Sequence, residues 1–181
     1  VIAEQFPTVQ GNPDFVACIN ERHFDRVKGY IDEATSRGAR VIPLCPEGEA
    51  FSSREDHKIA LHLIVDPDDD LQCMQDEIFG AILNIKTYDS LEDVIGFINE
   101  RERPLALYYF GQDKAEQQRV IAETISGGVS VNNVGMHVAC DDMPFGGIGH
   151  SGIGNYRGRE GFRTFSHARS VYREGFVDLP K

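Results

Sequence analysis

The segment Glu77-Ile78-Phe79-Gly80 places a carboxylate two residues from an aromatic ring. Both oxygens of a carboxylate accept hydrogen bonds, so Glu77 could bind a ribose diol while the Phe79 ring faces a planar base. The residues by themselves favour a plainer interpretation, in which Glu77 lies at the start of a strand and Phe79 lies in the core.

His137 and Cys140 form a second candidate group, because a thiol beside an imidazole can act as a nucleophile and its base. This pair would suit a small hydrolase. Free cysteines are more often small buried hydrophobic residues, and nothing near the other three cysteines would lower a thiol pKa. The four cysteines contain no C-x-x-C pair, which indicates a reducing compartment and predicts a cytoplasmic protein.

Two further patterns mimic known binding loops. Residues 147–152 satisfy G-x-G-x-x-G, but neither a strand before them nor a long helix after them is predicted, which favours a structured loop that walls a site. Asp66, Asp68 and Asp70 have the spacing of calcium ligands, yet Leu71 stands where the calcium loop requires glycine. A solvated turn is favoured there, and no metal site is predicted.

Strands and helices alternate along the middle of the chain and must position these groups. The spacing predicts a strand over 81–88, a helix opened by Ser90 with Asp93 as its capping box, and a strand over 105–110. A helix beginning at Asp113 and a strand over 129–132 follow. This β-α-β-α-β order predicts an α/β fold with a parallel sheet, whose strand ends would form the rim of a site.

The first third of the chain has a similar character. An amphipathic helix over 21–37, a strand over 40–42 that Pro43 cuts short, a loop over 46–57 and a strand over 59–65 are predicted.

Charge and hydropathy exclude two classes of partner. The net charge of -11 argues against nucleic acid, whose binding proteins usually carry a basic face. Apolar runs are too short to span a membrane. Because the chain begins at Val1 and has no signal-peptide pattern, we expect a fragment of a longer protein.

Several motifs in register resemble the C-terminal part of the aldehyde dehydrogenase superfamily. They are Glu77–Gly80, Gly128–Asn132, Pro144–Gly147 and Ser151–Gly154, with Asn132–His137 and Gly158–Arg169 most similar to the class 3 and coniferyl aldehyde dehydrogenase branch. The resemblance covers nearly the whole chain.

The resemblance implies a dehydrogenase mechanism with its nucleophile elsewhere. In this family a cysteine attacks the aldehyde, hydride passes to NAD or NADP, and a glutamate-activated water releases the acid. Both catalytic residues would precede Val1, so no catalytic residue is assigned here and the fragment alone should be inactive. The cofactor-binding Rossmann part would also precede Val1.

The resemblance also assigns binding residues. It implies that Glu77 binds the nicotinamide ribose and that Phe79 contacts the nicotinamide. His137 and Phe145 would line the aldehyde tunnel, which fits aromatic substrates such as coniferaldehyde. Ala81 stands where the family usually has proline.

The resemblance divides the chain at residue 167. Residues 1–167 would belong to the catalytic domain, and residues 168–181 would form an oligomerisation strand and tail that pairs across a homodimer or larger assembly. An unpaired strand invites association, so a non-catalytic α/β interaction or assembly module is the alternative function.

Overall fold

A computed structural model describes residues 2–175 and divides the chain into two compact units, Val1–Thr87 and Tyr88–Lys181. The elements of the first unit are α1 (Ile2–Gln5), α2 (Glu21–Ser36), β1 (Arg40–Leu44), β2 (Ser52–Ser53), β3 (Lys58–Ile59), β4 (Leu61–Val65), α3 (Gln72–Gln75) and β5 (Ile82–Ile85). Those of the second are α4 (Leu91–Asn99), β6 (Ala106–Tyr109), α5 (Lys114–Glu123), β7 (Gly128–Val131), α6 (Met136–Ala139), a 3₁₀ turn (Gly149–Ser151) and α7 (Gly158–Thr164).

A three-stranded sheet in the order β1-β4-β5 forms the first unit, with β1 antiparallel and β5 parallel to β4. Helix α2 contributes its apolar stripe to the core: Phe24, Val27, Tyr30, Ile31 and Ala34 are all buried with residues of β3, β4 and β5. The buried members of β4 are His62 and Ile64. The amphipathic helix that the spacing predicts is therefore confirmed.

Two predictions about the first unit are wrong. Strand β1 does not stop before Pro43 but runs through it, with Pro43 opposite His62. Strand β1 lies at the edge of its sheet, where a missing backbone N–H is tolerated. The predicted loop over 46–57 also contains β2, which pairs antiparallel with β3.

The acidic turn is held by ion pairs and hydrogen bonds. The Asp66 carboxylate accepts a hydrogen bond of 2.6 Å from the Thr87 amide. Hydrogen bonding from Thr87 holds the pKa of this carboxyl below the usual range. Arg37 donates to both Asp68 and Asp70. Within residues 2–175 no three acidic, histidine or cysteine side chains are grouped as metal ligands.

The second unit confirms the predicted alternation of strands and helices. Ser90 and Asp93 form the capping box at the start of α4. At the start of α5, the Asp113 carboxylate accepts hydrogen bonds from two backbone amides. Strands β6 and β7 are parallel, so the α/β class and the β-α-β-α-β order are confirmed. Strand β5 pairs with β4 in the first unit, and β6 pairs with β7 in the second.

The polypeptide after β7 is irregular apart from short helices. Helix α7 has no counterpart among the elements that the sequence predicts. Residues 166–175 form no strand within the chain, and residues 176–181 of the predicted oligomerisation segment lie outside the described residues. The domain boundary at residue 167 stays a prediction. Among the described residues, no helix has the length and apolar character needed to cross a bilayer.

Candidate functional site

The loop Asp76–Gly80, which we call the 76–80 loop, connects α3 to β5 and presents two of the predicted site residues to solvent. Glu77 is exposed, and 83% of the Phe79 side chain is accessible. Phe79 has φ of 44°, in the left-handed region that an aromatic residue rarely adopts. The interpretation that places Phe79 in the core is therefore wrong, because its ring projects outwards.

Close packing against helix α2 fixes the end of this loop. A Cβ atom at Gly80 would lie 2.5 Å from Cγ2 of Val27, whose side chain is fully buried. A glycine is therefore required where the loop backbone meets the helix.

Arg26 of α2 anchors the loop by its backbone. Its guanidinium donates to the Glu77 carbonyl at 3.2 Å and to the Ile78 carbonyl at 2.7 Å. The same group donates to the Tyr30 hydroxyl at 2.9 Å, and that hydroxyl donates to Asp76 Oδ2 at 2.8 Å. Burial raises the pKa of Tyr30, which keeps the phenol protonated and able to donate.

An apolar hollow of about 850 Å³ opens beside the loop. Phe79, Gly80 and Ala81 line it together with Phe15, Cys18 and Ile19. Burial raises the pKa of the Cys18 thiol, so this cysteine is a neutral lining residue and not an activated nucleophile.

His137 lies in the second unit, enclosed at the start of α6. Only 8% of the residue is accessible, and its Nδ1 lies 2.9 Å from the Ser130 hydroxyl oxygen on β7. Its ring centroid lies 5.8 Å from that of Tyr108 and 5.8 Å from that of Phe145. Among the described residues Nε2 has no hydrogen-bond partner, so the imidazole and the Cys140 thiol do not form a nucleophile and base pair.

Phe145 is half-buried and begins the glycine-rich segment. It exchanges two backbone hydrogen bonds of 2.9 Å with Tyr156, and the two rings meet edge to face at 5.6 Å. The Arg157 guanidinium lies 6.0 Å from the Phe145 ring centroid. The structure therefore brings His137 and Phe145 together in one aromatic cluster with Tyr108 and Tyr156.

The glycine-rich segment itself is a compact loop. Residues 147–152 contain a 3₁₀ turn, not the strand–turn–helix of a dinucleotide fingerprint. A Cβ atom at Gly146 would lie 2.0 Å from the Gly154 carbonyl oxygen, and one at Gly147 would lie 2.1 Å from that of Ser151. The glycines let backbone pack directly on backbone, which agrees with the predicted structured loop.

The sequence analysis does not identify the residues of α2 that hold the loop Asp76–Gly80. Arg26 and Tyr30 are four residues apart on one helix, a spacing at which side chains meet, but Tyr30 also fits the apolar stripe. Their contacts to Asp76 and Ile78 join residues 46 and 52 positions apart, which no local pattern reveals.

Comparison with known proteins decides the family. The model of the aldehyde dehydrogenase family matches residues 5–171. The chain belongs to this family. A probable coniferyl aldehyde dehydrogenase of Caulobacter vibrioides is 50% identical over 98% of the chain, and a coniferyl aldehyde dehydrogenase of a Pseudomonas species is 45% identical over 94%. The chain spans 37% and 35% of the length of these two aldehyde dehydrogenases.

Solved aldehyde dehydrogenases share the fold. A substrate-bound AldH of Staphylococcus aureus matches 95% of the chain with a TM-score of 0.78 and 36% identity. A Mycobacterium tuberculosis aldehyde dehydrogenase complexed with NAD⁺ matches 91% with a TM-score of 0.76 and 29% identity. The chain covers 37% and 33% of these two structures, again about a third of an aldehyde dehydrogenase.

Proposed function

We propose that this chain is the part of an NAD(P)-dependent aldehyde dehydrogenase that holds the nicotinamide end of the cofactor and one wall of the aldehyde path. The whole enzyme would oxidise aromatic, coniferaldehyde-like aldehydes to carboxylic acids. The exposed Glu77 and Phe79 on an anchored loop are the observation that carries the proposal.

The residues of the 76–80 loop fit a nicotinamide nucleotide. The exposed Glu77 carboxylate can accept hydrogen bonds from both hydroxyls of a ribose, and the accessible Phe79 ring offers a flat apolar face to the nicotinamide. The bound cofactor would accept hydride from the substrate. Backbone that is already fixed loses less conformational entropy on binding, so an anchored loop favours cofactor binding.

The aromatic cluster of the second unit supports an aromatic substrate. The half-buried Phe145 ring could contact the aldehyde, and His137 would act through Phe145, since the histidine itself is enclosed. The two bacterial relatives named above carry the coniferyl aldehyde name, which agrees with this choice.

The enzyme would act as a homodimer or larger homo-oligomer. Val171 and Tyr172 are 67% and 88% accessible in a segment without a strand partner in the described part of the chain. A rat relative, 43% identical over 87% of the chain, is named a dimeric NADP-preferring aldehyde dehydrogenase. Light scattering of the complete gene product should give at least twice the mass of one chain, and a monomer at high concentration would contradict this assignment.

The decisive experiment measures aldehyde-dependent reduction of NAD⁺ and NADP⁺ with coniferaldehyde and benzaldehyde. We expect turnover by the complete product of the gene and none by the 181-residue chain. Failure of both would reject the dehydrogenase and favour the assembly module. Activity of the short chain would instead place the nucleophile within it and make Cys140 the residue to replace.

A matched pair of variants tests the cofactor contact. Glu77→Gln keeps the shape of the side chain but removes its charge, and a hydrogen bond to a charged group contributes about 1.5–3 kcal/mol, or roughly 10- to 100-fold in affinity. We expect the KM for the cofactor to rise by that factor. Glu55→Gln, at another exposed glutamate of the same unit, should leave the KM unchanged.

A further inference from the structure

We propose that Arg26 is a positioning residue that holds the 76–80 loop, and with it Glu77 and Phe79, in the arrangement that receives the cofactor. The inference rests on the proposed function of those two residues. Arg26 would act through the loop backbone and through the phenol of Tyr30.

The hydrogen bonds of the loop carry this inference. Within residues 2–175, the bonds to the carbonyl oxygens of Glu77 and Ile78 come from the Arg26 guanidinium. The backbone bonds that organise strand β5 resume only at Gly80 and Ala81, whose carbonyls accept from Ile82 and His62. The stretch that carries the two contact residues is therefore fixed by a side chain of another element.

The strained backbone at Phe79 explains why such an anchor is needed. A non-glycine residue in the left-handed region costs about 1–3 kcal/mol and persists only where its surroundings determine the conformation. Arg26 constrains the loop just before Phe79, and the close contact of Gly80 with Val27 constrains it just after. The outward direction of the Phe79 ring follows from both constraints.

Tyr30 and Asp76 complete the arrangement. The Tyr30 hydroxyl accepts from Arg26 and donates to Asp76, so the first residue of the loop is joined to the same network. The guanidinium also lies 5.3 Å from the Tyr30 ring centroid, within range of a cation–π interaction. Arginine suits this position because its planar group donates in several fixed directions at once, which lysine does not.

Hydrogen exchange of the cofactor-free complete gene product tests the anchor directly. In Arg26→Gln we expect the amides of Asp76 and Ile82, which donate to the Gln72 and Gly80 carbonyls at the two ends of the loop, to exchange at least tenfold faster than in the wild type. Tyr30→Phe should show a smaller increase, and Arg26→Lys an intermediate one. Arg22→Gln, at an exposed position one turn earlier on α2, is the control and should leave exchange unchanged.

Kinetics with the same variants test the link to the cofactor. Arg26→Gln should raise the KM for NAD(P) about tenfold while the KM for the aldehyde stays within twofold, with Arg26→Lys recovering part of the loss. A general loss of folding would lower the maximal rate and leave both KM values unchanged, and the mild Tyr30→Phe variant guards against that outcome.

The outcomes separate the two proposals. Unchanged exchange in Arg26→Gln overturns the positioning role, as does faster exchange with an unaltered KM for the cofactor. An inactive wild type would reject the dehydrogenase proposal, while the exchange experiment would still decide whether Arg26 holds the loop.

Discussion

Replacement of Gly80 by alanine should destabilise the protein through one contact with Val27. The new Cβ would lie 2.5 Å from Cγ2 and 3.1 Å from Cγ1 of Val27. Carbon atoms in contact are normally about 3.5–4.0 Å apart, so the overlap is close to one ångström. Valine in a helix has one preferred rotamer, so rotation gives little relief, and we expect Gly80→Ala to cost about 1–3 kcal/mol.

A double-mutant cycle isolates that contact. Val27→Ala alone should cost about 2 kcal/mol, since two fully buried methyl groups are lost. In the double variant the Gly80→Ala methyl group enters the vacated space, so the combined cost should fall below the sum of the single costs by about 1–2 kcal/mol.

Urea unfolding followed by circular dichroism measures these differences. Each is the change in the free energy of unfolding, with the same dependence on urea concentration assumed for all variants. Gly29→Ala is the matched control on the same helix, because a Cβ there meets nothing within 4 Å. It should stabilise the protein by about 0.5–1 kcal/mol. A neutral or stabilising Gly80→Ala, or strictly additive costs in the cycle, would refute the reasoning.

Three further predictions concern single residues. Ser90→Ala removes the N-cap of α4 and should lower the free energy of unfolding by about 1 kcal/mol in the same urea assay; no change would contradict the capping box. Asn132→Ala removes the two hydrogen bonds of 2.9 Å and 3.0 Å to the Gly111 backbone, and should lower the melting temperature with a loss of about 1–2 kcal/mol. Burial lowers the pKa of His62, so the unfolded chain binds its proton more readily than the folded protein does. The free energy of unfolding should therefore fall as the pH drops below about 6.5. His62→Gln should reduce this dependence on pH. The same dependence in the variant and the wild type would contradict the prediction.

Local signals were sufficient to predict the second unit as far as β7. The capping box of Ser90 and Asp93 and the N-cap at Asp113 depend on residues within one helical turn, and the structure has both. The strands over 106–109 and 128–131 follow from short apolar runs between helices. These features need no knowledge of distant contacts.

Long-range contacts explain what the sequence could not predict. Pro43 lies within a strand because β4 pairs with only one side of β1, and position in a sheet cannot be inferred from a local run. Phe79 projects outwards because α2, about 50 residues earlier, holds the loop backbone on both sides of it. The resemblance implies roles for Glu77 and Phe79, but it gives no indication of the contacts that Arg26 makes with their loop.

The backbone packing of the glycine-rich loop determines which of its positions tolerate substitution. At Gly127, Gly146 and Gly147 an added Cβ would lie 2.3, 2.0 and 2.1 Å from a carbonyl oxygen. A backbone atom cannot rotate away as a side chain can, so a saturation library at these positions should return mostly unfolded proteins. Ile148 and Ile153, 43% and 100% accessible in the same loop, can vary without meeting that obstacle, so folded variants should be sought there first.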